Sequence, residues 1–330
     1  MSTVDDRPDL SLGEFLPVTE SAAIASGRWL GRGDNNSADQ AAVDAMRREF
    51  SKLNISGRVV IGEGEKDKAP QLYNGEEVGA GGMAVDIGVD PLEGTDLVSR
   101  GDEGAIAICV IAERGGILSA PDMYMRKLCV GATAKGKVDI TAPIADTMAA
   151  VAESYGRDVQ DITAIVLDRP RHEQLIAEIR ETGARIRLIP DGDITASMSA
   201  AVRGTGDHVY IGSGGSTEGV ITAAALECLG GEIQAQFAPN SEVQIAELAK
   251  FGVTDLDKVL STTDLASAPL YVIATGVTDG NLLRGVRYFA GGARTHSIAL
   301  NLRRGTIRFI DTVHLLDGRP AHEIRLSGVA

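Results

Sequence analysis

Apolar residues fall at every second position from residue 84 to residue 90, with Val85, Ile87 and Val89 on one side and Ala84, Asp86, Gly88 and Asp90 on the other. Side chains alternate along a strand, so this spacing predicts a β-strand over residues 84–89. Pro91 has no amide donor for a ladder, and the strand is expected to end there. Apolar runs predict further strands over 58–61, 105–112, 163–167, 185–189, 208–211, 270–274, 294–302 and 306–313. Elsewhere the period lengthens. Val43, Met46, Phe50 and Leu53 form a stripe at helical spacing, and helices are expected over 18–30 and 38–53, on either side of Gly31-Arg32-Gly33. Others are expected over 171–181, 194–202, 219–229 and 241–250. Strands and helices in mixed order indicate packed α/β layers. A new run of strand and helix opens at Thr163, which suggests two halves, residues 1–159 and 160–330.

Two of the predicted strands run into turns crowded with carboxylates. In Asp90-Pro91-Leu92-Glu93-Gly94-Thr95, Asp90 and Glu93 leave one turn with oxygens close enough to share or bridge hard cations, and Thr95 adds a hydroxyl. Upstream, Val59-Val60-Ile61 leads into Gly62-Glu63-Gly64-Glu65-Lys66-Asp67, whose glycines let Glu63 turn back toward the strand end. The plainer alternative is an acidic turn that solvates a strand end, because Asp, Pro and Gly are ordinary turn residues. Asp39 lies in Ser37-Ala38-Asp39-Gln40, where Ser37 and Gln40 have the spacing of a capping box. An aspartate in a first helical turn also has a purely electrostatic reason to be there.

Residues 212–219 read as a glycine-rich loop between a strand and a helix. The loop lacks the Lys of a Walker A motif, and Thr217 takes the third glycine position of a GxGxxG match, so both nucleotide motifs are weak. Glu218 at the helix start suits either a metal ligand beside a bound anion or a glutamate that only satisfies the helix dipole. In Arg169-Pro170-Arg171 the proline stiffens a turn that presents two guanidinium groups to a phosphate. Surface arginines balancing Asp168 and Glu173 are the alternative. No histidine pair has the HExxH spacing of a metalloprotease, so a metal would be held by oxygen, which suits Mg²⁺ or Mn²⁺.

The chain has 330 residues, 44% of them hydrophobic, and a net charge of −14. That charge argues against a nucleic-acid surface, and an anionic substrate would need cations and arginines to make a local positive site. The longest apolar stretches, 105–112 and 220–226, fall short of the ~20 residues of a membrane helix. The acidic N-terminus lacks the features of a secretory signal, so a cytoplasmic address is expected. Cys109, Cys129 and Cys228 sit in apolar runs and read as reduced, buried thiols.

Gly33-Asp34-Asn35, the turn after Ile61, Asp90-Pro91-Leu92-Glu93-Gly94-Thr95 and Ala120-Pro121-Asp122-Met123-Tyr124-Met125 resemble class II fructose-1,6-bisphosphatases. Asp168-Arg169-Pro170-Arg171-His172, Ile189-Pro190-Asp191-Gly192-Asp193 and Thr217-Glu218-Gly219 follow in the family's order, so the resemblance covers nearly the whole chain. The Asp-Pro-Leu-Glu-Gly-Thr turn alone would indicate only the wider superfamily of lithium-sensitive sugar and inositol phosphatases. The resemblance implies a layered α-β-α-β-α sandwich and hydrolysis of the 1-phosphate of fructose 1,6-bisphosphate by a metal-activated water, as in gluconeogenesis, with Mg²⁺ or Mn²⁺ as cofactor. Asp39 and Glu63 match the family's ligands for one metal, and Asp90, Glu93 and Glu218 those for a second. Glu93, Gly94, Thr95, Tyr124, Arg169, Pro170, Arg171, Asp191, Gly192, Asp193 and Gly215 match substrate contacts. Thr95 is the group expected to position the water, with Glu63 and Asp67 as further catalytic residues and Asp86 as an alternative relay.

Read on its own, Tyr124 is a core aromatic. The chain departs from the family pattern at Asn35, where many relatives have lysine, at Ser216-Thr217, where a proline usually precedes the glutamate, and in the extra charge of Asp96. The expected partners are a sugar bisphosphate and further copies of the chain in a dimer or tetramer, with no nucleic acid and no membrane. Competing readings are a phosphatase for sedoheptulose bisphosphate or another sugar or cyclitol phosphate, and a non-catalytic sugar-phosphate-binding regulator.

Overall fold

The computed structural model describes residues 12–63 and 72–315. Its helices are α1 (Leu12–Gly27), α2 (Asn35–Phe50), α3 (Thr95–Arg100), α4 (Ile144–Tyr155), α5 (Glu173–Glu181), α6 (Asp193–Ala201), α7 (Ser216–Leu229), α8 (Glu242–Lys250) and α9 (Thr262–Leu265). The first strands are β1 (Ile55–Ile61), β2 (Glu77–Val78), β3 (Met83–Glu93), β4 (Ile106–Glu113) and β5 (Tyr124–Val130). There follow β6 (Thr163–Leu167), β7 (Arg185–Ile189), β8 (Val209–Gly215), β9 (Glu232–Phe237), β10 (Pro269–Gly276), β11 (Arg287–Phe289), β12 (Gly292–Asn301) and β13 (Thr306–Leu315).

One sheet has the order β11-β12-β10-β4-β3-β1-β2, with β13 also paired to β12, and the other has the order β7-β6-β8-β5-β9. β4 shows why the molecule is layered. Its Ala107, Cys109 and Ile111 face a core built with Phe15 and Val18 of α1 and Val43, Met46 and Phe50 of α2. Its Ile106, Ile108 and Val110 face the opposite core, shared with α6, α7 and residues Met125, Cys129 and Ile165 of the second sheet. The far side of that sheet, through Leu128, Val130 and Val166, packs on Met148 of α4 and Ile176 and Ile179 of α5. The result is five layers in the order α-β-α-β-α. α7 lies between two sheets and is accordingly buried at every position from Gly219 to Leu226.

Several expected boundaries move. α1 begins at Leu12 and carries Pro17 inside it, since burial of Phe15, Val18 and Ala22 outweighs one lost backbone bond. The cap of α2 is Asp34, whose carboxylate accepts from Ser37 N, and not Ser37 itself, so Asp39 lies beyond the first turn. β8 runs directly into α7, and the expected glycine-rich loop does not exist. β5, α4 and β9 have no counterpart in the sequence reading. The three thiols are free, with Cys109 and Cys129 buried and Cys228 partly so, and burial pushes all three up to about 12. Among the described residues, no helix is long and apolar enough to cross a membrane.

Candidate active site

The site begins with an irregularity in β3. Asp90 pairs with Ile108 and Glu93 with Ile106, so three steps along β3 match two along β4. Regular alternation would send Asp90 and Glu93 to opposite faces; the extra residue turns them to the same one. Pro91 is tolerated within the bulge, which is why the strand continues past it to Glu93. Leu92 N donates to Asp90 Oδ1 at 3.1 Å, and Gly94 then takes φ 86° to start α3. A side chain at that glycine would need the left-handed region and would meet Leu97 Cδ1 at 2.7 Å.

Glu218 arrives from the first turn of α7. Its carboxylate lies over Gly215, where an added Cβ would stand 1.9 Å from Oε2, and Thr217 Oγ1 donates to the same oxygen at 2.8 Å. One oxygen each of Asp90, Glu93 and Glu218 then lies within 4.8 Å of the others. Glu93 Oε1 also accepts from Ile194 N at 2.9 Å, which ties this cluster to the start of α6.

Burial and mutual repulsion dominate the electrostatics of these acids. Burial, then repulsion from Glu93 and Glu63, drives Asp90 well above the carboxylate range, and burial with Asp193, Glu218 and Asp191 does the same to Glu93. Glu63 is raised to about 7 by burial and by Asp39, Glu218 and Asp122. Burial raises Asp39, and it raises Glu218 against the opposing effect of Lys127. Clustered oxygen donors that repel one another fit a hard divalent cation of the Mg²⁺ or Mn²⁺ type.

A cationic rim lies beside the cluster. Arg171 donates from Nε and Nη2 to Ser213 O at 3.1 and 2.8 Å, and its guanidinium covers the Tyr124 ring at 4.7 Å from the centroid. Tyr124 is 44% exposed, so it is a surface platform and not a core aromatic. Pro170 opens a short 3-10 turn, Pro170–His172, and Arg169 Nη2 stands 4.0 Å from Asp191 Oδ1. Asp191, raised by burial, and Gly192 lead into α6. Asp193 points inward, where Oδ2 accepts from Lys127 Nζ at 2.7 Å and from the Tyr210 hydroxyl at 3.3 Å. Its carboxylate is thus committed to the interior, while Asp191 stays at the rim.

Thr95 Oγ1 donates to Leu92 O at 3.2 Å, which leaves its lone pairs to accept. Asn35 Nδ2 donates to Asp96 Oδ1, so two of the departures from the family pattern are bonded to each other. At the third, Ser216 Oγ donates to Pro121 O at 2.5 Å and Ser216 N to Met123 O at 2.8 Å, fixing the start of α7 to the segment before β5. Asp67 lies outside the described residues. Asp86 is not a relay, because Arg58, Arg114 and Gly115 N occupy its carboxylate at the other end of β3. Two residues escaped the sequence reading. Asp122 faces Glu63, and Lys127 neutralises Asp193; the available signal for Lys127 was its place between Met125 and Cys129 on the apolar face of a strand.

The chain matches the family described as bacterial fructose-1,6-bisphosphatase, glpX-encoded, over residues 9–314. It is 46% identical to the D-fructose 1,6-bisphosphatase class 2/sedoheptulose 1,7-bisphosphatase of Synechococcus sp. (strain JA-2-3B'a(2-13)), with 96% of this chain and 99% of the relative covered. The Microcystis aeruginosa (strain NIES-843 / IAM M-2473) protein of the same name is 44% identical, with 94% and 97% covered. The corresponding Crocosphaera subtropica (strain ATCC 51142 / BH68) protein is also 44% identical, with 92% and 95% covered. A metal-dependent phosphatase family, five layers and a buried acidic cluster agree, and the chain belongs to the glpX-encoded bacterial fructose-1,6-bisphosphatases.

Proposed function

We propose that this chain removes the 1-phosphate of fructose 1,6-bisphosphate, in the cytoplasm and as a homo-oligomer, with Asp39, Glu63, Asp90, Glu93 and Glu218 holding Mg²⁺ or Mn²⁺. The observation that carries the reading is the convergence of Asp90, Glu93 and Glu218 within 4.8 Å, beside the Thr95 hydroxyl at the start of α3. The bound cations supply Lewis acidity for water and offset charge on the phosphoryl group. Thr95, whose own proton goes to Leu92 O, accepts from the attacking water and orients it. Arg169 and Arg171 bind the phosphate that does not react, Tyr124 shapes that end, and Asp191 meets sugar hydroxyls. The relatives' names support sedoheptulose 1,7-bisphosphate as a second substrate.

A phosphate-release panel tests this. Fructose 1,6-bisphosphate should turn over with Mg²⁺ or Mn²⁺ and not with EDTA, sedoheptulose 1,7-bisphosphate should follow, and inositol phosphates should not. Full turnover by rigorously metal-free protein would sink the metal assignment.

A further inference from the structure

His172 is buried, yet the mechanism above gives it no task. Both ring nitrogens are engaged. Nδ1 lies 2.8 Å from Leu167 O, an acceptor only, and Nε2 lies 2.8 Å from Ser213 N, a donor only. That pair of partners admits a single state, the neutral imidazole with its proton on Nδ1. The same Ser213 offers its carbonyl to Arg171, so consecutive residues of the 3-10 turn grip the N–H and the C=O of one residue of β8. The Arg171 guanidinium reaches across the Tyr124 ring from that grip.

We propose that His172 is the positioning residue of the phosphate-binding turn: as the Nδ1–H tautomer it pins the turn to β6 and β8 and so fixes the Arg171 guanidinium over Tyr124. This rests on the reading of Arg171 as a phosphate ligand. Protonation of His172 would set an N–H against the Ser213 N–H and release the grip. Arg169 and Arg171 face the ring from its own turn, Asp193 from α6 and the Tyr210 hydroxyl from β8. Burial, with the two arginines, holds His172 below its ordinary 6.5 against the opposing pull of Leu167 O and Asp193. The grip is therefore intact at neutral pH and is lost as pH falls through that lowered value.

The test uses full-length, metal-loaded enzyme turning over fructose 1,6-bisphosphate. His172→Leu should raise KM about tenfold while kcat changes by less than about threefold, the split expected when binding is lost equally from ground and transition states. His172→Gln, which keeps a donor and an acceptor, should restore much of the affinity. Wild-type KM should climb below pH 6.5 more steeply than that of His172→Gln, a comparison that cancels titration of the substrate itself. Long-range ¹⁵N–¹H spectra should show the proton on Nδ1. Arg171→Ala run alongside separates the two readings. Unchanged KM there sinks the phosphate reading and this inference with it, whereas raised KM there and normal KM in His172→Leu sinks this inference alone. If His172→Leu does not fold, a proton on Nε2 or parallel KM curves for wild type and His172→Gln overturn it.

Discussion

Asp86 and Asp90 stand on one strand, four residues and about 13 Å apart, on the same face, and the protein treats them in opposite ways. Asp86 is 1% exposed and fully provided for: Arg58 Nε and Nη2 donate at 3.1 Å, Arg114 Nη1 at 3.1 Å and Gly115 N at 2.7 Å. Asp90 is nearly as buried and is surrounded by Glu93, Glu63 and Glu218. A carboxylate kept for structure receives permanent cations. Asp90, the proposed ligand of an exchangeable cation, instead has acidic neighbours whose repulsion adds to burial, and a bound cation would relieve it. Lys127 marks the boundary between the two regimes, a permanent cation placed against Asp193 directly behind the acidic cluster.

The largest expected effect comes from breaking that boundary. Lys127 and Asp193 are 0% and 6% exposed, so Lys127→Met leaves a buried charge without its partner, at a cost of about 3–5 kcal/mol. Adding Asp193→Asn should recover much of that loss in a denaturant titration. Equal stability of the single and double variants would show that the pair is not an internal salt bridge of this kind.

Removing a proposed cation ligand should damage function instead. Loss of groups that merely orient metal ligands costs 10- to 100-fold, so Glu218→Gln should lower turnover by at least about 10²-fold and weaken Mn²⁺ binding in calorimetry. Normal Mn²⁺ affinity in that variant would exclude Glu218 from the set. Thr95→Val keeps the branched shape and deletes the hydroxyl. It should lower kcat by about 10²-fold with KM nearly unchanged, and Thr95→Ser should retain activity. A Thr95→Val enzyme with near-normal kcat would leave water orientation to the carboxylates.

Local features of this division were legible in the chain, and its long-range features were not. β6 and β7 coincide with the expected strands because β6 is a short apolar run, β7 places Ile186, Leu188 and Ile189 among two arginines, and both are bounded by turn residues. Asp90, Glu93 and Glu218 stood out by type and by expected position at element ends, and the structure brings one oxygen of each within 4.8 Å of the others. Nothing in their spacing revealed the bulge, which depends on β4 offering Ile106 opposite Glu93. β5 escaped notice because Arg126 and Lys127 look wrong for a central strand, and the anion that makes Lys127 acceptable comes 66 residues later. Asp39 was placed one turn out because the capping side chain belongs to Asp34, two residues of helix before the apparent box.

The smallest predicted effect is the most direct comparison, the same substitution made at both ends of β3 in EDTA. Asp86→Asn removes the charge from contacts with two arginines, and its melting temperature at neutral pH should fall by a few degrees, since charge-assisted bonds of this kind contribute about 1.5–3 kcal/mol and both arginines are partly exposed. Asp90→Asn should do the reverse. The pKa of Asp90 is raised in the folded state above its ordinary 3.8, so the wild-type stability associated with it is complete below that value and declines as pH rises toward the folded pKa. Asn cannot ionise and mimics the protonated acid. The two melting temperatures should therefore coincide below pH 3.8 and separate as pH rises past it, with Asp90→Asn the more stable by a few degrees and inactive. Saturating Mn²⁺ should reverse that order by stabilising wild type alone. Should Asp90→Asn melt below wild type in EDTA at neutral pH, Asp90 is a structural carboxylate like Asp86, and the contrast between the two ends of the strand fails.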